Sequence, residues 1–344
     1  MVALDEGRRI HAEATVVDSH NDTIVSLLRR GGQSLGGEGL EARDAPTSAV
    51  AYLRDHLDSS SPPVQADLTK LRAGGVDVAY FAIDVTRAWG NHLLYAMDGW
   101  GWFFGEVLAH RDEIAVIGSI EDARRARAEG KVAAVLTVEN SEVLEGSLNV
   151  LPVLRHIGVR AITLTHSARA RAADGVDETA TGGGLTGFGR DLVREMNRLG
   201  VLIDVSHISE SGFWDVMALS GAPVLASHSC CKALCEQPRN LTDDQIRAIA
   251  EGGGVIGITF VRDFVDREKP TMNRLLDHIE HAVAVGGIGC VGIGSDFDGG
   301  GELLKDAGEI PLITQGLLDR GWGEADLRKF LGENHLRLFE TVCG

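Results

Sequence analysis

Eight short runs rich in Val, Ile and Ala, separated by amphipathic stretches, constrain this chain more than any other feature of its sequence. They are Thr15 to Asp22, Val76 to Val85, Val132 to Asn140, Ala161 to His166, Val201 to His207, Pro223 to Ser229, Gly254 to Phe260 and Val291 to Asp298. Short runs of β-branched residues favour strands, and the helical period between them favours crossover helices. Strands alternating with helices make parallel βαβ units. Eight such units predict an α/β fold, specifically a (β/α)8 TIM barrel. A barrel needs roughly 250 residues. The 344 residues are therefore expected to form a single domain, 1–344, with long loops.

The intervening segments carry boundary signals. Amphipathic stretches run over Ser147 to Ile157, Thr186 to Leu199, Thr242 to Ala250, Thr271 to Val285 and Glu324 to Thr341. Thr242 with Gln245 has capping-box spacing, Pro270 and Pro311 suit first helical turns, and Gly158, Gly200 and Gly286 suit C-terminal caps. Two segments exceed a minimal barrel. Gly31 to Pro63 reads as a long ordered loop, and Arg87 to Phe104 concentrates Trp89, Trp100, Trp102, Phe103 and Phe104. Those aromatics either wall a substrate pocket or pack a helix on the barrel exterior.

Composition removes several classes of partner. A formal net charge of −17, with no Lys/Arg cluster to offset it, would repel a phosphate backbone, so nucleic acid is not expected. No run reaches the roughly 20 apolar residues of a membrane span, and the first residues lack the apolar core of a secretory signal. The expectation is a cytoplasmic protein with no membrane partner. Cys230, Cys231, Cys235, Cys290 and Cys343 are odd in number and clustered, which predicts reduced thiols. Cys231 and Cys235 lack a second Cys/His pair and read as loop packing.

In a (β/α)8 barrel the chemistry lies where the strands end. Here the first run ends in His20 and Asp22, the third in Glu139, the fourth in His166, the fifth in His207, the sixth in His228, and the eighth in Asp296 and Asp298. Burying so many ionisable groups in one mouth is costly unless they bind a metal or one another. His20 and Asp22, two apart on a strand, point to one face and can grip one ion. His207 and His228 end adjacent strands and can hold a second, and Glu139, with two oxygens, can bridge both. Imidazole and carboxylate without thiolate suit two Zn²⁺ and do not exclude Mn²⁺ or Co²⁺. Two such ions would share a water and lower its pKa, giving a hydroxide nucleophile for an acyl or phosphoryl substrate. Asp296 is placed to accept and return the proton, His166 to polarise the scissile carbonyl, and Asp298 to support a metal ligand from behind or to cap a loop.

The ordered motifs Val17-Asp18-Ser19-His20-Asn21-Asp22, Leu164-Thr165-His166-Ser167, Asp204-Val205-Ser206-His207, Ser227-His228-Ser229, Arg239-Asn240-Leu241, Gly294-Ser295-Asp296-Phe297-Asp298-Gly299 and Gly332-Glu333-Asn334-His335-Leu336-Arg337 resemble the membrane (renal) dipeptidase family, a branch of the metal-dependent amidohydrolases. The resemblance implies zinc-dependent hydrolysis of free dipeptides, L-Xaa-D-Xaa as well as L-Xaa-L-Xaa. His20 and Asp22 would bind one zinc, His207 and His228 the other, and Glu139 both, with His166 and Arg239 on the substrate and Asp296 at the water. A guanidinium pairs bidentately with a carboxylate, so Arg239 suits the dipeptide's C-terminus. Homodimers are common in the family; the residues add no support of their own. Two loops depart from its pattern, Asn140-Ser141-Glu142 and Ala168-Arg169-Ala170-Arg171. The two arginines suggest a preference for acidic side chains unless they pair with Asp174 or Asp177.

Other binuclear amidohydrolases, such as lactonases, phosphotriesterases or deacetylases, are the nearest alternative. Many carry His-x-His on the first strand and a carboxylated lysine bridge. Here the motif is His-x-Asp, and no lysine ends a strand. A catalytically dead barrel used as a scaffold is the alternative of a different class, and metal content separates it from an enzyme.

Overall fold

The computed structural model describes residues 2–30, 33–37, 63–86 and 90–344. Most of the predicted Gly31 to Pro63 loop, and Trp89, lie outside these. Nine strands are present among the described residues: β1 Val16–Asn21, β2 Val76–Asp84, β3 Ile114–Val116, β4 Val132–Glu139, β5 Val159–Thr163, β6 Leu202–Asp204, β7 Leu225–Ser229, β8 Val255–Ile258 and β9 Val291–Ile293. They are ordered β2-β1-β9-β8-β7-β6-β5-β4-β3, and a further β2–β4 pairing closes the ring. All the pairings are parallel, so eight strands form the expected (β/α)8 barrel.

β3 is the strand that the sequence reading missed. It pairs with β4 over Val132 to Ala134, below the stretch from Leu136 to Val138 that pairs with β5. Three residues with no alternation leave too little periodicity to detect.

Two apolar layers hold the barrel. Residues such as Ile83, Leu136, Val138, Ile162 and Ile258 face outward into the core shared with the helices. Val17, Val78, Tyr80, Ala133, Val135, Ala161, Leu202, Leu225 and Val255 fill the interior, together with Leu338, Phe339 and Cys343. The last three belong to the final helix, Asn334–Cys343, which therefore plugs the N-terminal end of the barrel. The opposite end stays available for polar groups.

The capping box of Thr242 with Gln245 is present, Pro311 opens a helix, and Gly158 and Gly200 take left-handed caps. Three boundaries differ. Pro270 precedes the N-cap Thr271, and the C-cap after Gly286 is Gly287, at φ 84°. The segment from Glu324 is interrupted by a π turn, Lys329–Glu333, before the plugging helix begins. Helix His92–Ala109 buries Trp100 and Phe103 on the barrel exterior, Phe103 lying 5.0 Å from Phe81, so these two pack the helix against the barrel. All five cysteines are buried and unpaired; Cys231 donates its N–H to His278, in keeping with a packing role. No helix among the described residues is long and apolar enough to cross a membrane.

Candidate metal centre

Simple alternation would not bring every predicted ligand into the mouth. In β4 it does: Ala133 and Val135 point inside, and Glu139 continues the same face. In β1, Val17 is inside, so even-numbered His20 would point outward. A register shift between Asp18 and Asn21 corrects this. β7 repeats the device, with Leu225 inside and a shift between Ala226 and Ser229 that lets His228 enter. His207, beyond the end of β6, turns inward through a left-handed backbone at φ 68°. Asp296 and Asp298 sit at φ 61° and 65°. Such strain in non-glycine residues persists only where the surroundings enforce it, and it clusters at functional sites. Gly299 is the complementary case: a Cβ there would come within 2.1 Å of Asp22 Oδ2 and 2.4 Å of Asp296 Oδ1.

The five predicted ligands converge. Glu139 Oε1 lies 2.9 Å from His207 Nε2 and 3.7 Å from His228 Nε2, while Glu139 Oε2 is 3.9 Å from His20 Nε2. His20 Nε2 is 3.4 Å from Asp22 Oδ2. Donor atoms of His20, Asp22 and Glu139 form one compact group, and those of Glu139, His207 and His228 another. Glu139 is common to both. His20, His228 and Asp296 form a third such group.

The donor set fits cations. His20 Nε2 and Asp22 Oδ1 are buried without a hydrogen-bond partner among the described residues. His207 Nε2 and His228 Nε2 face each other at 2.9 Å, where at most one proton can lie between them. Burial, the Arg239 charge and neighbouring imidazoles hold His207 and His228 well below the usual histidine range, so both are neutral donors. Burial would also lower His20, but Asp22, Glu139 and Asp296 hold it up at about 10. Burial and adjacent carboxylates push Glu139 well above its ordinary range, and burial leads the rise of Asp296 to about 7. An anionic cluster this dry is stabilised by positive charge.

Hydrogen bonds behind the ligands aim them. Ser227 donates its hydroxyl to Asp204 Oδ2 at 2.6 Å, so its oxygen must accept from His228 Nδ1 at 2.8 Å. That fixes the tautomer whose Nε2 lone pair faces Glu139. Asp204 also accepts the N–H groups of Ser206 and Ser227, and Asp18 plays the matching part in β1 by accepting from the Ser295 hydroxyl and N–H. Ser227→Ala should therefore weaken metal binding by roughly 10–100-fold while the barrel stays folded. A metal titration followed by calorimetry checks this, and unchanged affinity would refute the orienting role.

The remaining predicted residues line one cleft of about 320 Å³ with Asp22, Glu139 and His207: His166, Arg239, Asp296 and Asp298. His166 stacks on His207 at 4.0 Å and keeps a partly open face. Arg239, on the loop after β7, is buried; Nη2 donates to the His228 carbonyl at 3.0 Å, and Nε has no partner among the described residues. Asp298 accepts from the Thr23 hydroxyl and the Gln65 N–H, the loop-tying part expected of it. Arg169 is spoken for: it forks onto Asp174 at 2.5 and 3.0 Å. Arg171 approaches Glu142 at 3.6 Å, and neither arginine lines the cleft, so the suggested preference for acidic side chains loses its basis.

Sequence reasoning missed Asp84. It ends β2, pairs in register with Glu139 and lines the same cleft. The signal was available: Val78, Tyr80, Ala82 and Asp84 alternate, and the first two point inside.

A closed parallel barrel with buried imidazoles and carboxylates converging at its C-terminal mouth defines a class, the barrel proteins with a metal-binding mouth. Comparison with known proteins narrows it. The membrane dipeptidase family model, peptidase family M19, matches residues 4–343, and the chain belongs to that family. It is 39% identical over 217 residues to dipeptidase verJ of Clonostachys rogersoniana, an alignment covering 62% of this chain and 56% of that relative. Among solved structures it resembles a dipeptidase described as an M19 metallopeptidase, at TM-score 0.83 and 28% identity over 96% of this chain and 99% of the other. It also resembles a metallopeptidase from Rhodobacter sphaeroides, liganded with a phosphinate mimic of L-Ala-D-Ala, at TM-score 0.82 and 27% identity over the same shares.

Proposed function

We propose that this protein is a metallodipeptidase that hydrolyses the peptide bond of free dipeptides, L-Xaa-D-Xaa as well as L-Xaa-L-Xaa. The observation that carries the reading is Glu139 held between two groups of donors, with Arg239, whose Nε has no partner among the described residues, in the same cleft. His20 and Asp22 would hold one Zn²⁺, His207 and His228 the other, and Glu139 both. Bound there, the ions supply Lewis-acid polarisation and lower the pKa of water toward neutrality.

The side chains do the rest. Arg239 offers N–H groups to the substrate's terminal carboxylate, which draws small zwitterions into the mouth and disfavours longer peptides. His166, exposed on one face to the cleft, donates toward the scissile carbonyl oxygen and stabilises the charge that builds there. Asp296, with Oδ1 3.9 Å from His20 Nε2, holds the proton taken from water and returns it to the leaving amine. That the relative from Rhodobacter sphaeroides binds an L-Ala-D-Ala mimic supports acceptance of a D-residue in second place.

Protein purified without chelators should carry about two divalent ions per chain. It should also turn over members of an L-Xaa-L-Xaa and L-Xaa-D-Xaa panel while sparing lactones and organophosphates. Activity on the lactones or organophosphates with none on dipeptides would overturn the reading in favour of another binuclear hydrolase.

A further inference from the structure

Asp84 occupies a position that the proposed roles leave unused. Its donor atoms lie within 4.8 Å of those of Glu139 and His166, yet no hydrogen bond or ion pair joins it to either among the described residues. Its own hydrogen bonds come from Thr86, whose N–H donates to Oδ1 at 2.7 Å and whose hydroxyl also reaches the carboxylate. The remaining acceptor capacity faces the cleft, where the side chain keeps part of its surface open.

Spacing argues against Asp84 as a metal ligand and for it as the receptor of a larger donor. Two ligands at about 2.1 Å from one Zn²⁺ in tetrahedral geometry sit roughly 3.4 Å apart. The His20–Asp22 contact is 3.4 Å and His207–Glu139 2.9 Å, in keeping with shared ions. Asp84 stands back from His166 beyond ion-pair range. The space beside Asp84 suits a nitrogen that hydrogen-bonds to the carboxylate at about 2.8 Å while its neighbouring carbonyl lies toward His166.

The topology supplies the second argument. In the closed ring of strands, β2 and β7 are diametrically opposed, with β1, β9 and β8 between them one way and β4, β5 and β6 the other. Asp84 ends β2, and Arg239 follows β7. Asp84 and Arg239 therefore enter the cleft from opposite sides of the ring, with the metal ligands around it and Arg29 also on its lining.

We propose that Asp84 receives the α-ammonium group of the substrate and so restricts the enzyme to dipeptides with a free N-terminus. This rests on the dipeptidase reading above. An α-ammonium is attached to the carbon next to the scissile carbonyl, so its receptor must stand beside the reacting centre. Asp84 does so, next to Glu139 and His166. The ammonium of a lysine side chain would reach several bonds further out. With the carboxylate clamped by Arg239 and the ammonium by Asp84, the zwitterion is pinned at both ends and its carbonyl is held between them.

The test compares a free dipeptide with its desamino analogue, which lacks only the ammonium, in the parent, Asp84→Asn and Asp84→Ser. The parent should favour the free dipeptide by roughly 100-fold or more in kcat/KM. Both variants should lose that preference, falling to within about fivefold, mainly through slower turnover of the free dipeptide, and should retain the parent's metal content. Equal rates for the two substrates in the parent would overturn the ammonium role while leaving the dipeptidase reading intact. So would variants that keep the full preference or lose metal. Hydrolysis of neither substrate by the metal-loaded parent would count against the dipeptidase reading itself.

Discussion

Glu139→Gln should fold as the parent does yet lose metal and activity together. Glu139 is the one side chain common to both donor groups, and a neutral amide cannot balance two dications. We expect metal content to fall from about two ions per chain to less than one, and kcat/KM to fall by more than roughly 100-fold. A stability measurement separates this from misfolding. In the metal-free state Glu139 is a fully buried carboxylate among Asp22, Asp84 and Asp296, so the amide should match or exceed the parent's melting temperature. Adding Zn²⁺ should raise the parent's melting temperature, because an ion that binds only the native state stabilises it by mass action. The variant should show little such rise. Glu142→Gln is the control, since Glu142 is engaged by the Arg171 backbone N–H outside the ligand ring. A variant that keeps both ions and full activity would remove Glu139 from the bridging position.

The sequence carried the barrel because its strands are periodic and separated by helices with recognisable caps, as at Thr242 and Gly200. What escaped it lay below that period: β3 is three residues long, and the π turn at Lys329–Glu333 divides a segment whose amphipathic pattern runs on unbroken. The ligands were legible for a partly different reason from the one that orients them. Strand-end position pointed to His20, His207 and His228, but alternation from Val17 and Leu225 would have turned His20 and His228 outward. Register shifts in β1 and β7 and the left-handed backbone at His207 bring them in, and no residue type announces those features. Asp84 is the converse. Regular alternation from Val78 and Tyr80 aims it correctly, but as one acid ending an apolar run it was passed over beside the histidines. The loop after β5 leaves two readings of Arg169, a cation facing the substrate or one paired with Asp174 or Asp177, and the folded loop shows Asp174 holding it.

Arg239→Met should cost the proposed enzyme most of its affinity for free dipeptides without disturbing its metals. Arg239 is buried, spends Nη2 on the His228 carbonyl and leaves Nε without a partner; Phe264 packs 5.4 Å from its guanidinium carbon. A buried cation is tolerated here because Asp296, Glu139 and Asp204 oppose the penalty of burial. An incoming carboxylate would satisfy the open Nε and meet a charge that needs no further desolvation. Methionine fills comparable volume but leaves the substrate anion unpaired in a dry cleft, at a cost of about 2–5 kcal/mol. That corresponds to a rise in KM of roughly 30-fold to several-thousand-fold. Lysine should rescue only part of this, because an ammonium cannot reproduce the planar fork. The comparison that isolates the contact uses a dipeptide amide, which lacks the carboxylate. The parent should handle it poorly and the variant almost as well as it handles the free acid, so that the two defects do not add. If Arg239→Met keeps kcat/KM for the free dipeptide within twofold of the parent, the carboxylate is recognised elsewhere in the mouth.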